Sequence, residues 1–179
     1  MRLFFAIELP PETQSALAQL QGDSPDYRWV DPRSMHLTLA FLGEQPEVRL
    51  PELEQVGTVA ARQSHTGKLR LGEAGHFGSA RAPRVLWVDI QGDVNKLLEL
   101  QVNLTRALKE KSFPTEEREF RAHVTLARRR ERATGSAPRG WPPRVEPVAF
   151  GLNTLTLMQS RLSPKGAIYA PVFKFEIGG

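Results

Sequence analysis

The sequence predicts an α+β fold of two pseudo-symmetric lobes, with mainly antiparallel sheets and flanking helices around a central cleft. Three observations support this fold class: several hairpin-like strand pairs, helical stretches between non-adjacent strands, and a strand–helix–strand unit that occurs twice. The chain has 179 residues, which suits a single domain over 1–179 made of two intertwined lobes. One lobe is expected to carry His36 and the other His123.

The first copy of the repeated unit begins with the apolar run RLFFAIEL (2–9), which is typical of a buried strand. Pro11 stands where the first turn of a helix accepts proline, and Gly22 is the expected stop of that helix. A short strand at 27–30 and a longer one at 35–43, MHLTLAFLG, follow it. Apolar residues at helical spacing then predict a helix over 51–63.

The second copy begins with two strands, at 68–72 and 84–90, which a Gly-rich loop joins into a long hairpin. Asp93 is placed to cap the helix that follows, and the next strand is REFRAHVTLARR (118–129). Residues 129–144 have the composition of a loop. The remainder of the chain predicts two or three more strands.

Composition restricts the classes of function. The chain has no cysteine, which excludes disulfides, thiolate metal sites and thiol nucleophiles. Its net charge of +4 favours an anionic partner such as nucleic acid or a nucleotide. The N-terminal apolar run is too short for a signal segment, and no stretch reaches membrane-spanning length. We therefore expect a cytoplasmic protein without a membrane partner.

Two tetrapeptides carry the strongest functional signal, His36-Leu-Thr38-Leu and His123-Val-Thr125-Leu. Side chains of a strand alternate between its two faces. In each motif the histidine and the threonine therefore share one face, and the two apolar residues share the other. The apolar pair is expected to pack against helices, whereas the polar pair is presented together.

A single motif of this kind is weak evidence, because a lone histidine in a strand usually has a structural role. Two of the four histidines fit the pattern, in corresponding strands of the repeated unit, which favours a functional pair. The other two, His65 and His76, lack the threonine. We interpret His65 as a surface residue near a helix end and His76 as a surface residue in the Gly-rich loop.

Paired histidines and threonines suit the cleavage of a cyclic phosphodiester. A base must deprotonate the nucleophile, and an acid must protonate the leaving oxygen. Imidazole has an ordinary pKa of about 6.5, so one neutral and one protonated histidine can coexist near neutral pH. Threonine hydroxyls can donate to the non-bridging oxygens of the transition state. No metal-binding motif occurs, and we expect neither a metal nor a cofactor.

The chain resembles the two-histidine (2H) phosphoesterase superfamily, and within it the RNA 2′,3′-cyclic phosphodiesterases, long named 2′-5′ RNA ligases. The resemblance extends over nearly the whole chain. It is carried by MRLFFAIELP, RWVDPRSMHLTLAFLG, PRVLWVDI, FRAHVTLAR and SRLSPKGAIYAPVFKFEI. One departure is Ala122, where the family usually has proline before the second histidine. Proline there would only stiffen the entry to the strand, so the expected function is unaffected.

The resemblance implies a bilobal fold around a cleft and assigns roles to five residues. His36 is expected to be the proton donor and His123 the proton acceptor. Thr38, Thr125 and Arg128 are expected to bind the substrate phosphate. The implied reaction is metal-independent hydrolysis of RNA 2′,3′-cyclic phosphate ends to 2′-phosphomonoesters, with 2′-5′ ligation as its reverse. The implied partner is RNA with such an end, tRNA fragments included, and we expect a monomer.

Some points stay open at this level. Arg128 follows His123 by five positions, so strict alternation places it on the opposite face. It reaches the phosphate only if the strand ends, bulges or twists there, and otherwise it is a solvated arginine. Phe41, at the same offset in the first motif, either packs in the core or stacks on a base.

Two other functions also remain open. One is a phosphodiesterase that acts on small cyclic nucleotides or on 2′-5′ oligoadenylate, because loops and cleft shape determine which lengths of substrate fit. The other is a non-catalytic RNA-binding protein with salt-sensitive affinity.

Overall fold

Every strand pairing in the computed structural model, which describes residues 1–164 and 166–178, is antiparallel. The predicted α+β class is confirmed, with two sheets and three helices in this part of the chain. The strands are β1 Arg2–Glu8, β2 Tyr27–Trp29, β3 His36–Glu44, β4 Gly67–Gly78, β5 Pro83–Gly92, β6 His123–Arg129, β7 Ala149–Leu152, β8 Thr154–Ser163 and β9 Gly166–Glu176. The helices are α1 Pro11–Ala18, α2 Leu50–Arg62 and α3 Val94–Glu110.

The two sheets exchange strands between the two halves of the chain. One sheet has the order β3-β1-β8-β9 and the other the order β2-β6-β5-β4-β7. The first-half strand β2 therefore completes the second sheet, and β8 and β9 complete the first. We propose from this exchange that the chain forms one domain of two intertwined lobes, one carrying His36 and the other His123.

The predicted elements agree with the observed ones, except at three places. The Gly-rich segment after residue 72 is strand, because β4 continues to Gly78, and His76 lies on that strand. Helix α1 ends at Ala18 and does not reach Gly22. Strand β6 begins at His123, and the residues before it from 113 onward are irregular. Asp93 precedes α3 as predicted, but its side chain accepts from the backbone N–H of Lys68 and makes no capping hydrogen bond.

Gly75 explains why the Gly-rich segment can be strand. A side chain at this position would collide with the ring of Trp87, which lies directly opposite on β5. Glycine in a strand often marks such a close approach of a neighbouring group. The glycines here therefore make room for an aromatic residue, which a loop assignment from composition alone does not anticipate.

The helices cover the apolar faces of both sheets. Helices α2 and α3 pack against each other, α2 also contacts β8 and β9, and α3 contacts β3 and β4. Strand β1 is buried at five successive positions, residues 3–7, because both of its faces are covered. The polar faces of β3 and β6, with the motif histidines at their first positions, remain on the side away from the core.

Each motif strand contains a β-bulge immediately after its threonine. Leu39 has no partner on β1, because the residues on either side of it pair with consecutive residues of that strand. Leu126 is skipped in the same way where β6 pairs with β5. Both leucines are buried, with 4% and 0% of their surface exposed. The two motifs thus share their backbone irregularity as well as their sequence.

The bulges change which side chains share a face. An extra residue moves every following side chain by one step of the alternation. Leu126 and Ala127 are therefore both buried, and Arg128 returns to the face of His123. Phe41 returns to the face of His36 by the equivalent bulge in β3.

None of the helices in the described part of the chain is both long and apolar enough to cross a membrane. The longest helix, α3, is amphipathic and buries one face only. Its buried residues are Leu97, Leu100, Asn103, Leu104, Ala107 and Leu108.

Helix α2 contacts β9 through a glycine, which gives a stability prediction. A methyl group at Gly57 would collide with the ring of Phe175. We expect Gly57→Ala to lower the free energy of unfolding by about 1–3 kcal/mol through overpacking, although alanine is favoured in helices by about 1 kcal/mol. Denaturant unfolding of the wild type and the variant measures the change.

Phe175→Leu supplies the control for this prediction. The smaller side chain leaves room for the methyl group, so Gly57→Ala should cost less free energy in that background than in the wild type. An unchanged or higher stability of Gly57→Ala alone would contradict the close packing of α2 on Phe175.

Candidate active site

The structure brings the two motif histidines into one cleft. His36 and His123 both line a cavity of about 90 Å³, together with Thr125, Arg128 and Tyr169. A larger cavity of about 460 Å³ adjoins it and is lined by Thr38 in addition to His123, Thr125 and Arg128. All five residues singled out in the sequence therefore meet at this cleft, and three of them line both cavities.

Each histidine is anchored through Nδ1 by a backbone carbonyl two residues earlier. His36 Nδ1 donates to the carbonyl oxygen of Ser34 at 2.8 Å, and His123 Nδ1 donates to that of Arg121 at 2.6 Å. A nitrogen that donates to a carbonyl carries the proton in the neutral ring. In both histidines Nε2 is therefore the nitrogen left for proton transfer.

Aromatic rings hold His36 in position. Its ring lies 4.6 Å from that of Phe4, measured between centroids, and the two planes differ by 31°. Tyr169 approaches at 4.9 Å with its plane at 80°, an edge contact. The imidazole is thus packed against aromatic side chains from β1 and β9 of its own sheet.

His123 is packed by equivalent means in the other sheet. Phe77 of β4 meets its ring edge-on at 5.1 Å, and Trp87 of β5 lies at 6.5 Å. The guanidinium of Arg121 lies over the ring of Phe77 at 6.0 Å, a cation–π contact. Phe77 also lines the larger cavity, so one side chain both supports the histidine and forms part of the cleft wall.

Burial lowers the pKa of His36. The half-buried ring loses part of the hydration that stabilises its charged form, and this outweighs the opposing hydrogen bond to the carbonyl of Ser34. At neutral pH the free protein therefore holds His36 mainly as neutral imidazole.

The pKa of His123 is lowered as well, and the causes are more numerous. Desolvation is the largest of them, and the positive charges of Arg128 and Arg121 act in the same direction. The hydrogen bond to the carbonyl of Arg121 and the negative charge of Glu116 oppose the shift. His123 is thus also biased towards the neutral form, in an environment that attracts anions.

A carboxylate stands directly across the strand pair from each histidine, Glu8 opposite His36 and Asp89 opposite His123. Neither of them binds the imidazole. Glu8 accepts hydrogen bonds from a threonine of β8 and a lysine of β9, and Asp89 accepts one from a backbone N–H of β4. The orientation of both rings therefore depends on backbone carbonyls and ring packing.

The polar groups that face the cleft have free bonding capacity. Within residues 1–164 and 166–178, the structure shows no side-chain hydrogen bond from Thr38, Thr125 or Arg128. The threonine hydroxyls are donors, and the guanidinium presents a fork that matches the oxygens of a phosphate. These three groups suit the binding of an anion between the two histidines.

The structure resolves the two open points on position. Arg128 lines both cavities, because the bulge at Leu126 returns it to the cleft face. Phe41 is 39% exposed and lines the larger cavity, which excludes the alternative that it packs in the core. The first strand thus places an aromatic ring where the second places a cation.

Several residues of the cleft are not marked by any motif in the sequence. The irregular segment before β6 contributes Glu116, Arg118, Phe120 and Arg121 to the larger cavity, and Tyr169 comes from the end of the chain. Arginines beside aromatic residues are a signal typical of nucleic-acid sites. Their position depends on how the segment after α3 folds back over the cleft, which local sequence does not specify.

The two remaining histidines lie outside the cleft. His65 is exposed and pairs with Glu99 at 3.0 Å, as predicted for a surface residue. His76 is half-buried on β4, opposite the buried Leu86, so its predicted loop position is wrong. In the described ranges, no three His, Asp or Glu side chains form a group able to hold a metal ion.

Comparison with known proteins establishes the family. The model of the family described as LigT like Phosphoesterase matches the chain twice, over residues 7–87 and 88–169. The chain therefore belongs to the LigT-like phosphoesterases, and the resemblance inferred from the paired motifs is confirmed. One motif histidine falls in each of the two matched segments, in agreement with the repeated unit.

Individual relatives agree with this assignment. Over its full length, the chain is 36% identical to the RNA 2′,3′-cyclic phosphodiesterase of Thermus thermophilus and covers 91% of that protein. It is 29% identical to the enzyme of the same name from Archaeoglobus fulgidus, over 98% of this chain and 100% of that protein. A crystal structure of a Thermus thermophilus protein superposes with a TM-score of 0.81 at 33% identity, covering 100% of this chain and 99% of that one.

The lowered pKa values of the two histidines can be measured directly. We expect NMR titration of the free protein to give pKa values below the ordinary 6.5 for both His36 and His123. Inorganic phosphate should raise both, because an anion stabilises imidazolium. Glu116→Gln should lower the pKa of His123 further and leave that of His36 unchanged, since only His123 is affected by that charge.

His36 serves as the internal reference in this titration. A pKa above 6.5 for either histidine in the free protein would contradict the electrostatics described above. An equal effect of Glu116→Gln on both histidines would show that the substitution acts through the fold instead of through its charge.

Proposed function

We propose that this phosphoesterase hydrolyses RNA 2′,3′-cyclic phosphate ends to 2′-phosphomonoesters. The observation that carries the proposal is that His36 and His123, each with Nε2 left for proton transfer, line one cavity that suits a phosphate group. The relatives named RNA 2′,3′-cyclic phosphodiesterase support the choice of substrate. The adjoining cavity of about 460 Å³ offers room for the terminal nucleoside.

In the proposed reaction a water oxygen attacks phosphorus while the bond from phosphorus to the 3′ oxygen breaks. Nε2 of His123 takes the proton of the water, and Nε2 of His36 gives its proton to the departing 3′ oxygen. The products are a 2′-phosphate and a 3′-hydroxyl. Solvent then returns a proton to His36 and removes one from His123, so the site is reset.

The other three residues are proposed to stabilise charge. Thr38 and Thr125 donate hydrogen bonds to the non-bridging oxygens, which carry the growing negative charge of the transition state. Arg128 binds the same oxygens through its planar fork. Each of the two sheets thus supplies one proton-transfer group and one hydroxyl donor.

We propose that substrate binding causes His36 to take up the proton that it donates as the acid. The free site favours neutral imidazoles, whereas the reaction needs one protonated histidine. A bound phosphate adds a negative charge beside both rings and so raises their pKa values. Protonation of His36 is in this way coupled to substrate binding.

Other features of the activity belong to the same proposal. The chemistry derived above uses no metal ion, and 2′-5′ ligation follows when an RNA 5′-hydroxyl replaces water as the nucleophile. RNA ends such as those of tRNA fragments are the proposed partners. A cytoplasmic monomer is the proposed state of the protein, and light scattering after size-exclusion chromatography tests the monomer.

If both histidines take part in catalysis, replacing either one should lower turnover. With a cyclic-phosphate oligonucleotide in EDTA, we expect turnover by the wild type. His36→Ala and His123→Ala should each lose a factor on the order of 10² or more in kcat, because each removes one proton-transfer group. Quantifying the 2′-phosphate product by chromatography measures the loss.

His65→Ala is the matched control, because this exposed histidine lies outside the cleft, and it should keep wild-type turnover. Turnover that needs added divalent metal would overturn the metal-independent mechanism. RNA binding without any turnover would favour the non-catalytic alternative.

The division of proton roles gives a second, sharper prediction. Sulfur in place of the bridging 3′ oxygen makes a leaving group that needs little protonation. We expect this substrate to restore the rate of His36→Ala by about tenfold or more, on the order of what general acid catalysis contributes. The rate of His123→Ala should not recover, since the attacking water still lacks its base.

Measured rates of the two variants on the oxygen and sulfur substrates decide this assignment. Recovery of His123→Ala alone would reverse the two roles. Recovery of neither variant would show that protonation of the leaving oxygen does not limit the reaction.

A further inference from the structure

A second arginine stands beside Arg128 on the same face of the second sheet. Strand β2 pairs with β6 so that Arg28 lies directly opposite Arg128. Directly opposite residues of an antiparallel pair project from the same face, with Cβ atoms about 5 Å apart. The neighbours of Arg28, Tyr27 and Trp29, point to the other face and pack with Ala127. Arg28 is therefore exposed on the cleft face, next to the proposed phosphate ligand.

This arrangement has a cost in the free protein. Like charges directly opposite each other destabilise a strand pair. In the part of the chain that the structure describes, no carboxylate forms an ion pair with either arginine. The acidic residue just before β2, Asp26, lies instead against Gly135. The pair is thus an uncompensated positive site that a bound anion would relieve.

Arg28 does not line the cavities that Arg128 lines. Arg128 lines the small cavity between the two histidines, whereas Arg28 lies one strand farther out and lines neither cavity. An anion held by Arg28 therefore lies beside the first phosphate and outside the catalytic pocket. A nucleic-acid strand supplies such an arrangement, because its phosphates follow each other at one-nucleotide intervals.

We propose that Arg28 binds the phosphodiester one nucleotide upstream of the cyclic phosphate, so that the enzyme prefers oligonucleotide ends to mononucleotides. The inference rests on the proposed function, since it takes Arg128 as a ligand of the cyclic phosphate. That phosphate ends the strand, so the nearest other phosphate is the one on the 5′ side of the terminal nucleoside. Arg28 is then a specificity-determining residue that separates RNA ends from small cyclic nucleotides.

Two substrates that differ by one nucleotide test the proposal. Adenosine 2′,3′-cyclic phosphate has only the reacting phosphate, and the dinucleotide ApA with a 2′,3′-cyclic end has one more. The measured quantity is kcat/KM for the dinucleotide divided by kcat/KM for the mononucleotide. We expect Arg28→Ala to lower this ratio on the order of tenfold, because it removes one charged hydrogen bond. Arg28→Lys should lower the ratio less, because it keeps the charge and loses only the fork.

Salt dependence gives an independent readout. Each phosphate contact contributes about one unit to the slope of log affinity against log salt concentration. Arg28→Ala should reduce this slope for the dinucleotide by about that amount. The control is Arg62→Ala, which removes an exposed arginine at the end of α2, outside the cleft, and should leave the ratio and the slope at wild-type values.

An unchanged ratio in Arg28→Ala would overturn the proposal, and so would an equal loss on both substrates, which indicates an indirect effect on Arg128. A wild type inactive on both substrates would overturn the proposed function instead. Calorimetric binding of the two 2′-phosphate products would then decide on Arg28 separately. If the wild type binds the dinucleotide product more tightly than the mononucleotide product and Arg28→Ala loses this difference, the upstream contact is supported. If the wild type binds both products equally, the contact is refuted.

Discussion

The backbone bulges at Leu39 and Leu126 determine which side chains of the motif strands face the cleft. A regular strand would bury Arg128 or expose its apolar neighbours, because alternation allows only every second residue on one face. One unmatched leucine lets the strand keep two successive residues in the core and still present histidine, threonine and arginine together. Apolar packing of the leucines therefore maintains the polar arrangement on the other face.

Electrostatics then links this arrangement to its substrate. Burial lowers the pKa values of both histidines in the free protein. The positive charge of Arg128 lowers the pKa of His123 further. The same cation attracts a phosphate, and the low-dielectric walls of the cleft strengthen that attraction. An anion that binds beside the two rings favours the protonated histidine that the proposed reaction needs. The uncompensated charge of Arg28 extends this attraction beyond the cavity between the two histidines.

The sequence predicted those features that depend on local patterns. The repeated unit, the fold class and the polar pairs of His36 and His123 followed from strand alternation and motif spacing. The strand character around Gly75 was missed, because it depends on the ring of Trp87 on the neighbouring strand. The placement of Arg128 was left undecided for a similar reason, since a bulge is specified by pairing with β5 and not by the residues of β6 alone. The cleft residues of the segment before β6 were missed for the same reason, because tertiary folding determines where that segment lies.

The anchoring of both imidazoles by peptide carbonyls has an evolutionary consequence. Ser34 and Arg121 hold Nδ1 through atoms that every amino acid possesses. Point mutations at these two positions leave the acceptor in place, provided that the local backbone path is kept. Sequence changes at these two positions therefore do not remove the tautomer that the proposed proton transfer needs, whereas a carboxylate that oriented the ring could be lost by one substitution. Much of the chain around the two motifs can diverge while this part of the proposed catalytic geometry persists.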